Sequence, residues 1–418
     1  MSDSRVQVTG QPAFGRRLRA LRVARGLSQA ELAGPELSAA YLSRLESGTR
    51  PPTERVLSLL CARLDVTPAD FSPPVGSPLA RALAAVATAG GAPRTARELE
   101  EALSKDEDGD AALRWQAQWL LADYYHAEGR HHDEMRLLPE LIALSDAIDL
   151  PDARVRSRVR LARRLRAIGD LTEARAAAED AHTLSLTCRL PDQDVAEAAL
   201  TLISVDAATG QLAEARRRAD ELAESLGRST GDGPHGQVSK RLRTEVLWTA
   251  AAVALRQGDR QAATDRLRAA LDGMPSNEDP VLWLRLRLAA ASMYLQMNPR
   301  DTEQAARHLA DAAASVAVIG TPLQRLELLL LQCRLAFHEG RLTDARALDE
   351  LLDPCPEGMA HRDLVTLAVL RNQMALLDGD RATAVAELER LAKEAHESGN
   401  VELAGEIWRA LAESLAGA

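Results

Sequence analysis

From Phe14 to Leu415, apolar residues recur at helical spacing in segments cut by glycine, proline and capping residues. "FGRRLRALRVARG" puts Leu18, Leu21 and Arg25 at helical spacing before Gly26 stops the segment. "SQAELA" opens on Ser28 with Glu31 three residues on, the spacing at which a hydroxyl and a carboxylate cap a helix reciprocally. Gly34-Pro35 breaks this short helix. "SAAYLSRLESG" has Ser38 as its cap and Gly48 as its stop, with Leu42 and Leu45 inward and Ala39, Ala40, Ser43 and Arg44 outward. "TERVLSLLCARLDV" reads as a fourth amphipathic helix and "TPADF" as a short fifth.

Three prolines and a glycine in "SPPVGSP", Ser72–Pro78, end this pattern. They predict a head at 1–72, a linker at 73–78 and a body at 79–418. The body repeats. "GAPRTA", "GDLTEA", "GQLAEA", "GDRQAA", "RDTEQA", "GRLTDA" and "GDRATA" start at 91, 169, 210, 258, 300, 340 and 379, each with alanine five residues on. "GRHHDE" at 129 keeps the glycine and loses the alanine, and the spacings run from 38 to 48 residues. The glycine ends one helix in a left-handed conformation, the next polar residue caps another, and the alanine lets the two approach. No such pair buries its own apolar face, so neighbours must stack. The longest spacing contains an inserted loop, Leu226–Gln237. "VELAGEIWRALAESL" has no partner after it and should cap the stack.

These pairs resemble tetratricopeptide repeats, although their period near 41 exceeds the usual 34; HEAT-like pairs are the alternative. The fold expected is all-α: a five-helix head, then a right-handed tetratricopeptide-like solenoid of about eight helix pairs. Composition agrees, because aromatics are 3% while alanine, leucine and arginine abound.

Net charge is −10, unevenly spread: residues 1–72 hold ten arginines against seven acids, a net +3, which leaves −13 for the remainder. A basic head on an acidic body confines contact with a polyanion to the head. Only three basic residues out of 51 are lysine, so arginine by itself marks no function. Cys61, Cys188, Cys333 and Cys355 form no CxxC pair and read as reduced thiols. "MSDSRVQVTG" lacks an apolar core for a signal peptide, and "LELLLLQCRLAF" is too short and too charged to span a bilayer, so a cytoplasmic protein without membrane contact is expected.

The motifs "LRALR", "GLSQAELA", "YLSRLESG" and "RPP" closely resemble the Cro/repressor-type helix-turn-helix family, also called XRE-like, over residues 14–71. The turn "GPEL" is about one residue shorter than that family's common pattern. The resemblance implies that the third helix enters the major groove of double-stranded DNA. By position, Gln29 and Ser38 would meet phosphate. Ala39, Ala40, Ser43 and Arg44 would face bases with Tyr41 beside them, and Thr49 and Arg50 would touch phosphate. Arginine can grip guanine, and alanine can meet a thymine methyl. The family pattern pairs Arg22 with Glu46 in a structural ion pair, so Arg22 is not expected on DNA.

Other clusters carry less. "YYHAEGRHHDEM" gathers His126, His131, His132, Asp133 and Glu134 without a recognised ligand spacing, and reads as a solvated turn. Gly227 to Gly231 matches the serine-hydrolase elbow formally but lacks the strand that motif requires. Nothing else suggests a catalytic residue, cofactor or metal, and the chain is expected not to be an enzyme.

Regulators of this layout include peptide-pheromone receptors. The expectation is therefore a homodimeric transcription regulator that reads an inverted-repeat operator and senses a peptide, another amphipathic ligand or a protein partner; the alternative is a protein–protein adaptor. In tetratricopeptide-like stacks the first helix of each pair lines the concave face. Counting back from each turn places Trp119, Asp123, His126, Arg163, Arg166, Trp248, Tyr294, Arg334, Phe337 and Gln373 there, with Val159, Met297 and Leu330. Trp119 and Trp248 read equally well as packing between helices, since one residue of register turns them inward.

Overall fold

The computed structural model describes residues 13–48, 52–71, 77–89, 93–106, 110–228, 238–352 and 359–417. These form 21 α-helices and one 3-10 turn, with no strand among the described residues. Thr49, Arg50, Cys355, most of the linker and 229–237 of the inserted loop lie outside them, whereas Leu226, Gly227 and Arg228, the start of that loop and of the elbow-like motif, are the end of a helix. The chain divides into two compact units, Met1–Tyr124 with Ala143–Ile148, and Tyr125–Ile142 with Asp149–Ala418.

In the first unit the head comprises α1 (Ala13–Ala24), α2 (Gln29–Ala33), α3 (Ala39–Glu46), α4 (Glu54–Leu64) and the 3-10 turn Pro68–Phe71. The Ser28–Glu31 capping box and the Ser38 cap both form, and Gly34 closes α2 at positive φ. Phe14, Leu18, Leu32, Leu42, Leu45, Leu60, Leu64 and Phe71 make one core, with Phe14 and Phe71 stacked at 5.0 Å. Gly15 lets α1 pass so close to α3 that a β-carbon there would collide with the carbonyl oxygens of Leu45 and Glu46. The unit continues through α5 (Pro78–Ala89), α6 (Pro93–Ser104) and most of α7 (Ala111–Ala127), which share Leu79, Ala82, Leu99, Ala102 and Ala117.

Helix pairs follow: α8 (His131–Ala147), α9 (Pro151–Ile168), α10 (Leu171–Thr187), α11 (Asp192–Ala208), α12 (Leu212–Arg228), α13 (Lys240–Arg256), α14 (Arg260–Gly273), α15 (Pro280–Gln296), α16 (Thr302–Ile319), α17 (Pro322–His338), α18 (Leu342–Glu350), α19 (His361–Leu377), α20 (Arg381–Glu397) and α21 (Val401–Gly417). Gly129, Gly169, Gly210, Gly258, Gly340 and Gly379 all take positive φ at the turns, as the repeat requires. Asp170, Asp259 and Asp301 cap their helices through side-chain oxygens, whereas Arg341 and Asp380 make no such bond. The repeat alanines Ala96, Ala174, Ala215, Ala263, Ala305, Ala345 and Ala384 are all buried.

Two burial patterns separate the helices of a pair. In α10, Leu171, Ala174, Ala178, Ala181 and Ser185 form a single stripe, as on a helix covered from one side. In α15, Leu282, Leu284, Leu286, Leu288 and Ala290 are all buried, because its neighbours cover it on several sides. Within the second unit the first helices pack in series from α9 to α19, and the series curls until α19 touches α9. The helix α21 was expected only to cap the stack. It packs on α19 and α20 and also reaches α11, so it lies against the inside of the curl. Cys61 and Cys333 are buried free thiols; burial pushes Cys333 up to about 11. None of the described helices is long and apolar enough to cross a membrane.

Candidate nucleic-acid interface and candidate ligand groove

The third helix of the head is held from behind and open in front. Leu42 and Leu45 are fully buried, while Ala39, Ala40, Ser43 and Arg44 are exposed. Tyr41 is half-buried against the head core. The Ser38 hydroxyl accepts the Tyr41 amide at 3.1 Å, and its own proton stays available for an acceptor such as phosphate. Behind α3, Arg22 meets both Glu46 oxygens at 2.6 and 3.0 Å and donates to the Leu27 carbonyl at 2.7 Å. Gln29 is half-buried, and its amide donates to Glu46 at 2.8 Å. Inside the protein, then, Gln29 already serves the ion pair that orients α3.

The short turn between α2 and α3 has a device that the sequence reading missed. Arg63 of α4 donates to the Leu32 carbonyl at 2.9 Å, reaches the Ala33 carbonyl and pairs with Glu36. Its guanidinium fills the space where Gly34 has no side chain. One arginine thus satisfies the open carbonyls of α2 and ties down the turn that aims α3. The arginine at that register of α4 was the available signal.

In the body, the ten residues placed on the concave face separate. Trp119 stacks on Trp115 at 5.3 Å, and Asp123 is exposed; both belong to the first unit. In the second unit Arg163 and Arg166 are exposed on one face of α9, and Arg163 donates to the Thr201 hydroxyl at 3.1 Å. Arg334 and Gln373 line a cavity of about 140 Å³ with Arg300, His338, Arg362 and Glu406. Gln373 is buried there and donates to Ser414 of α21 at 3.1 Å. Trp248 is half-buried against the core, with the Arg285 guanidinium 5.4 Å from its ring. Phe337 is half-buried beside Cys333 and Met374, its ring meeting His338 edge-on.

Tyr294 departs from its expected place. It is 8% exposed and stacks on His308 of α16 at 5.6 Å, away from the cavity. Val159, Met297 and Leu330 are core residues. For Tyr294 and Met297 the cause is register. α15 ends at Gln296, four residues before Arg300, whereas α9, α13, α17 and α19 end one or two before theirs. Each residue turns a helix by about 100°, so this slip carries the count to another face. Ser292 and Gln296 line the cavity instead.

The residues missed are charged. Arg256 and Arg362 converge on Glu402 at 3.1 and 2.9 Å, and Arg362 also meets Glu406 at 2.6 Å. Burial would raise the Glu402 carboxyl, but Arg256 and Arg362 hold it at about 2. Arg166 is lowered to about 10, chiefly by desolvation within the curved wall and then by Arg256, Arg163, Arg362 and Arg164. His338 falls to about 3, by burial and then by Arg300 and Arg334, and is neutral near pH 7. Two glutamates one turn apart at the start of the last helix were the signal.

The histidine cluster is not a solvated turn. Glu134 is 2% exposed and takes bonds from Arg160 at 3.0 Å and Arg164 at 3.1 Å, with His126 Nδ1 at 3.3 Å. His126, His131 and Glu134 could converge on a cation geometrically. Two guanidiniums already occupy the carboxylate, however, and would repel one.

The two parts define a class: a helix-turn-helix domain joined to a tetratricopeptide-like helical-repeat body. Residues 13–72 match the family described as "Helix-turn-helix domain". No curated protein matches the sequence. Among solved structures, a Rap protein complexed with competence and sporulation factor is similar over 97% of this chain and 96% of its own, at 10% identity and a TM-score of 0.52. The apo quorum sensor NprR from B. thuringiensis is similar over 96% and 97%, at 11% identity and TM-score 0.46. Bacillus thuringiensis PlcR, in complex with the peptide PapR7 and DNA, is similar over 79% and 99%, at 13% and 0.29.

Proposed function

We propose that the protein is a sequence-specific transcription regulator. Its head reads double-stranded DNA, and its repeat body (79–418, after the 73–78 linker) binds a ligand and holds two chains together as a homodimer in the cytoplasm. The observation that carries this is the open face of α3: Ala39, Ala40, Ser43 and Arg44 project from a helix fixed behind by Leu42, Leu45 and the Arg22–Glu46 pair, within a helix-turn-helix domain. Ser38, Tyr41 and Gln29 flank that face; with Thr49 and Arg50 they complete the proposed contacts. Phosphate contacts would fix register and the α3 face would supply base readout. One head covers a half-site, so a two-fold pair would read an inverted repeat.

The ligand reading rests on the inside of the curl, where Arg163 and Arg166 are exposed on α9 and Arg334 lines the cavity beside apolar residues such as Leu295, Val369 and Ile407. That chemistry suits a short peptide, or another amphipathic molecule, with an acidic group. PlcR is a structure that holds both a peptide and DNA.

The test is selection of bound fragments from genomic DNA with the purified full chain. Enrichment of one inverted-repeat motif is expected. Recovery without any shared motif would overturn the regulator reading and favour an adaptor.

A further inference from the structure

Arginines of several first helices meet on the inside of the curl, and α21 adds two acids to those that the first helices bring. Its apolar face, Leu403, Ala404, Ile407 and Leu411, anchors it in a cluster with Val365 and Leu388. Its Glu402 and Glu406 sit one turn apart, and both take bonds from Arg362. Glu402 also meets Arg256, which belongs to a different repeat. Just before the helix, Asn400 donates to the Gly169 carbonyl at 3.1 Å, three residues beyond Arg166. One short stretch therefore bridges the ends of α9 and α13 and the start of α19.

Not all of the arginines are served. The Arg166 guanidinium has neither hydrogen bond nor ion pair among the described residues, and Arg163 donates to the neutral Thr201 hydroxyl at 3.1 Å, with Glu197 and Glu245 acting on it through charge alone. Two open guanidiniums three positions apart on one helix stand beside two held by carboxylates that α21 provides.

We propose that Arg163, Arg166, Arg256 and Arg362 form an anion subsite, that Glu402 and Glu406 are its built-in occupants, and that the ligand is an acidic peptide with two or more closely spaced carboxylates. The proposal rests on the ligand-groove reading above. The ligand first engages Arg163 and Arg166, then takes Arg256 and Arg362 from Glu402 and Glu406. The start of α21 is thereby released from α9, α11 and α13, while its apolar side keeps it on α19 and α20. Exchange of one carboxylate for another preserves charge pairing, so the switch does not require a bare buried ion at any stage.

Titration calorimetry on the full chain tests this, with a triglutamate peptide and inorganic phosphate as separate probes. Glu402→Gln/Glu406→Gln should bind triglutamate at least tenfold more tightly than the parent, and Arg166→Gln should bind it at least tenfold less tightly. Hydrogen exchange should show residues 400–406 losing protection when triglutamate saturates the parent. If the glutamine variant binds no better while Arg166→Gln still weakens binding, α21 is not the occupant and the groove reading stands. If Arg166→Gln leaves triglutamate binding unchanged, the groove reading itself fails. Phosphate binding with no triglutamate binding would overturn the ligand class.

Discussion

Glu134 is the sharpest place to test the electrostatics of the body. It stands at the position that alanine holds in the other repeats, and it is 2% exposed. Burial alone would raise its carboxyl, but the bond from His126 and the charges of Arg160 and Arg164 outweigh burial and lower it to about 2. From an ordinary 4.5 this is a drop of about 2.5 pH units, and at about 1.36 kcal/mol per unit it is worth about 3 kcal/mol. The folded value lies below the unfolded one. The stabilisation is therefore complete above about pH 4.5 and fades by about 1.4 kcal/mol per pH unit as the pH falls towards 2. Glu134→Gln should cost about 3 kcal/mol at pH 7 and about half of that at pH 3. Urea unfolding of parent and variant, followed by circular dichroism at both pH values, measures this. Comparing the two cancels the other carboxylates. A penalty equal at both pH values, or below about 1 kcal/mol at pH 7, would refute the reasoning. Replacing Glu134, Arg160 and Arg164 together with Ala, Leu and Leu should recover most of the loss, since a buried ionic group exchanged whole for apolar residues is close to neutral.

Arg44→Ala should weaken the preferred operator by about 1–3 kcal/mol and relax one base position, read by fluorescence anisotropy on a panel of single-base variants. Gly15→Ala should destabilise the head by about 1–3 kcal/mol through overpacking against α3 and abolish operator binding, with the transition of the repeats unchanged in a thermal melt. Arg63→Ala should cost the head about 1–3 kcal/mol by leaving the Leu32 and Ala33 carbonyls without their donor, and should weaken operator binding although Arg63 is not among the proposed DNA contacts.

Caps and stops were legible in the sequence because their chemistry is local. Ser28 with Glu31, Ser38, and the glycines from Gly129 to Gly379 each need only a few neighbouring residues. The core of the head was legible for a similar reason, since Leu42 and Leu45 follow from one helical period. The groove was less so. Its residues come from successive helices, and each count runs from a turn whose distance to the helix end varies, which misplaced Tyr294. Contacts made by the curl itself, such as Arg256 and Arg362 on Glu402, join residues 40 or more positions apart, and no local period announces them. The missing alanine at Glu134 was visible as an exception. Its consequence was not, because the partners Arg160 and Arg164 lie on the next helix pair.

The same charges indicate which element a ligand can move. α9 presents two pairs of arginines on adjoining faces. Arg160 and Arg164 hold Glu134, while Arg163 and Arg166 face the inside of the curl. Shifting α9 would strip Glu134 of both partners and leave buried ions with nothing to replace them, at a cost of about 3–5 kcal/mol. Shifting the start of α21 is different. An incoming carboxylate takes over Arg256 and Arg362, and Glu402 and Glu406 pass into water, where a carboxylate is well solvated. What is lost without exchange is the Asn400 bond to the Gly169 carbonyl, worth about 1 kcal/mol, and the packing of Val401 beside Gly210 at the end of α11. The second change costs less than the first, so α9 is the stiffer wall of the groove and α21 the more movable one.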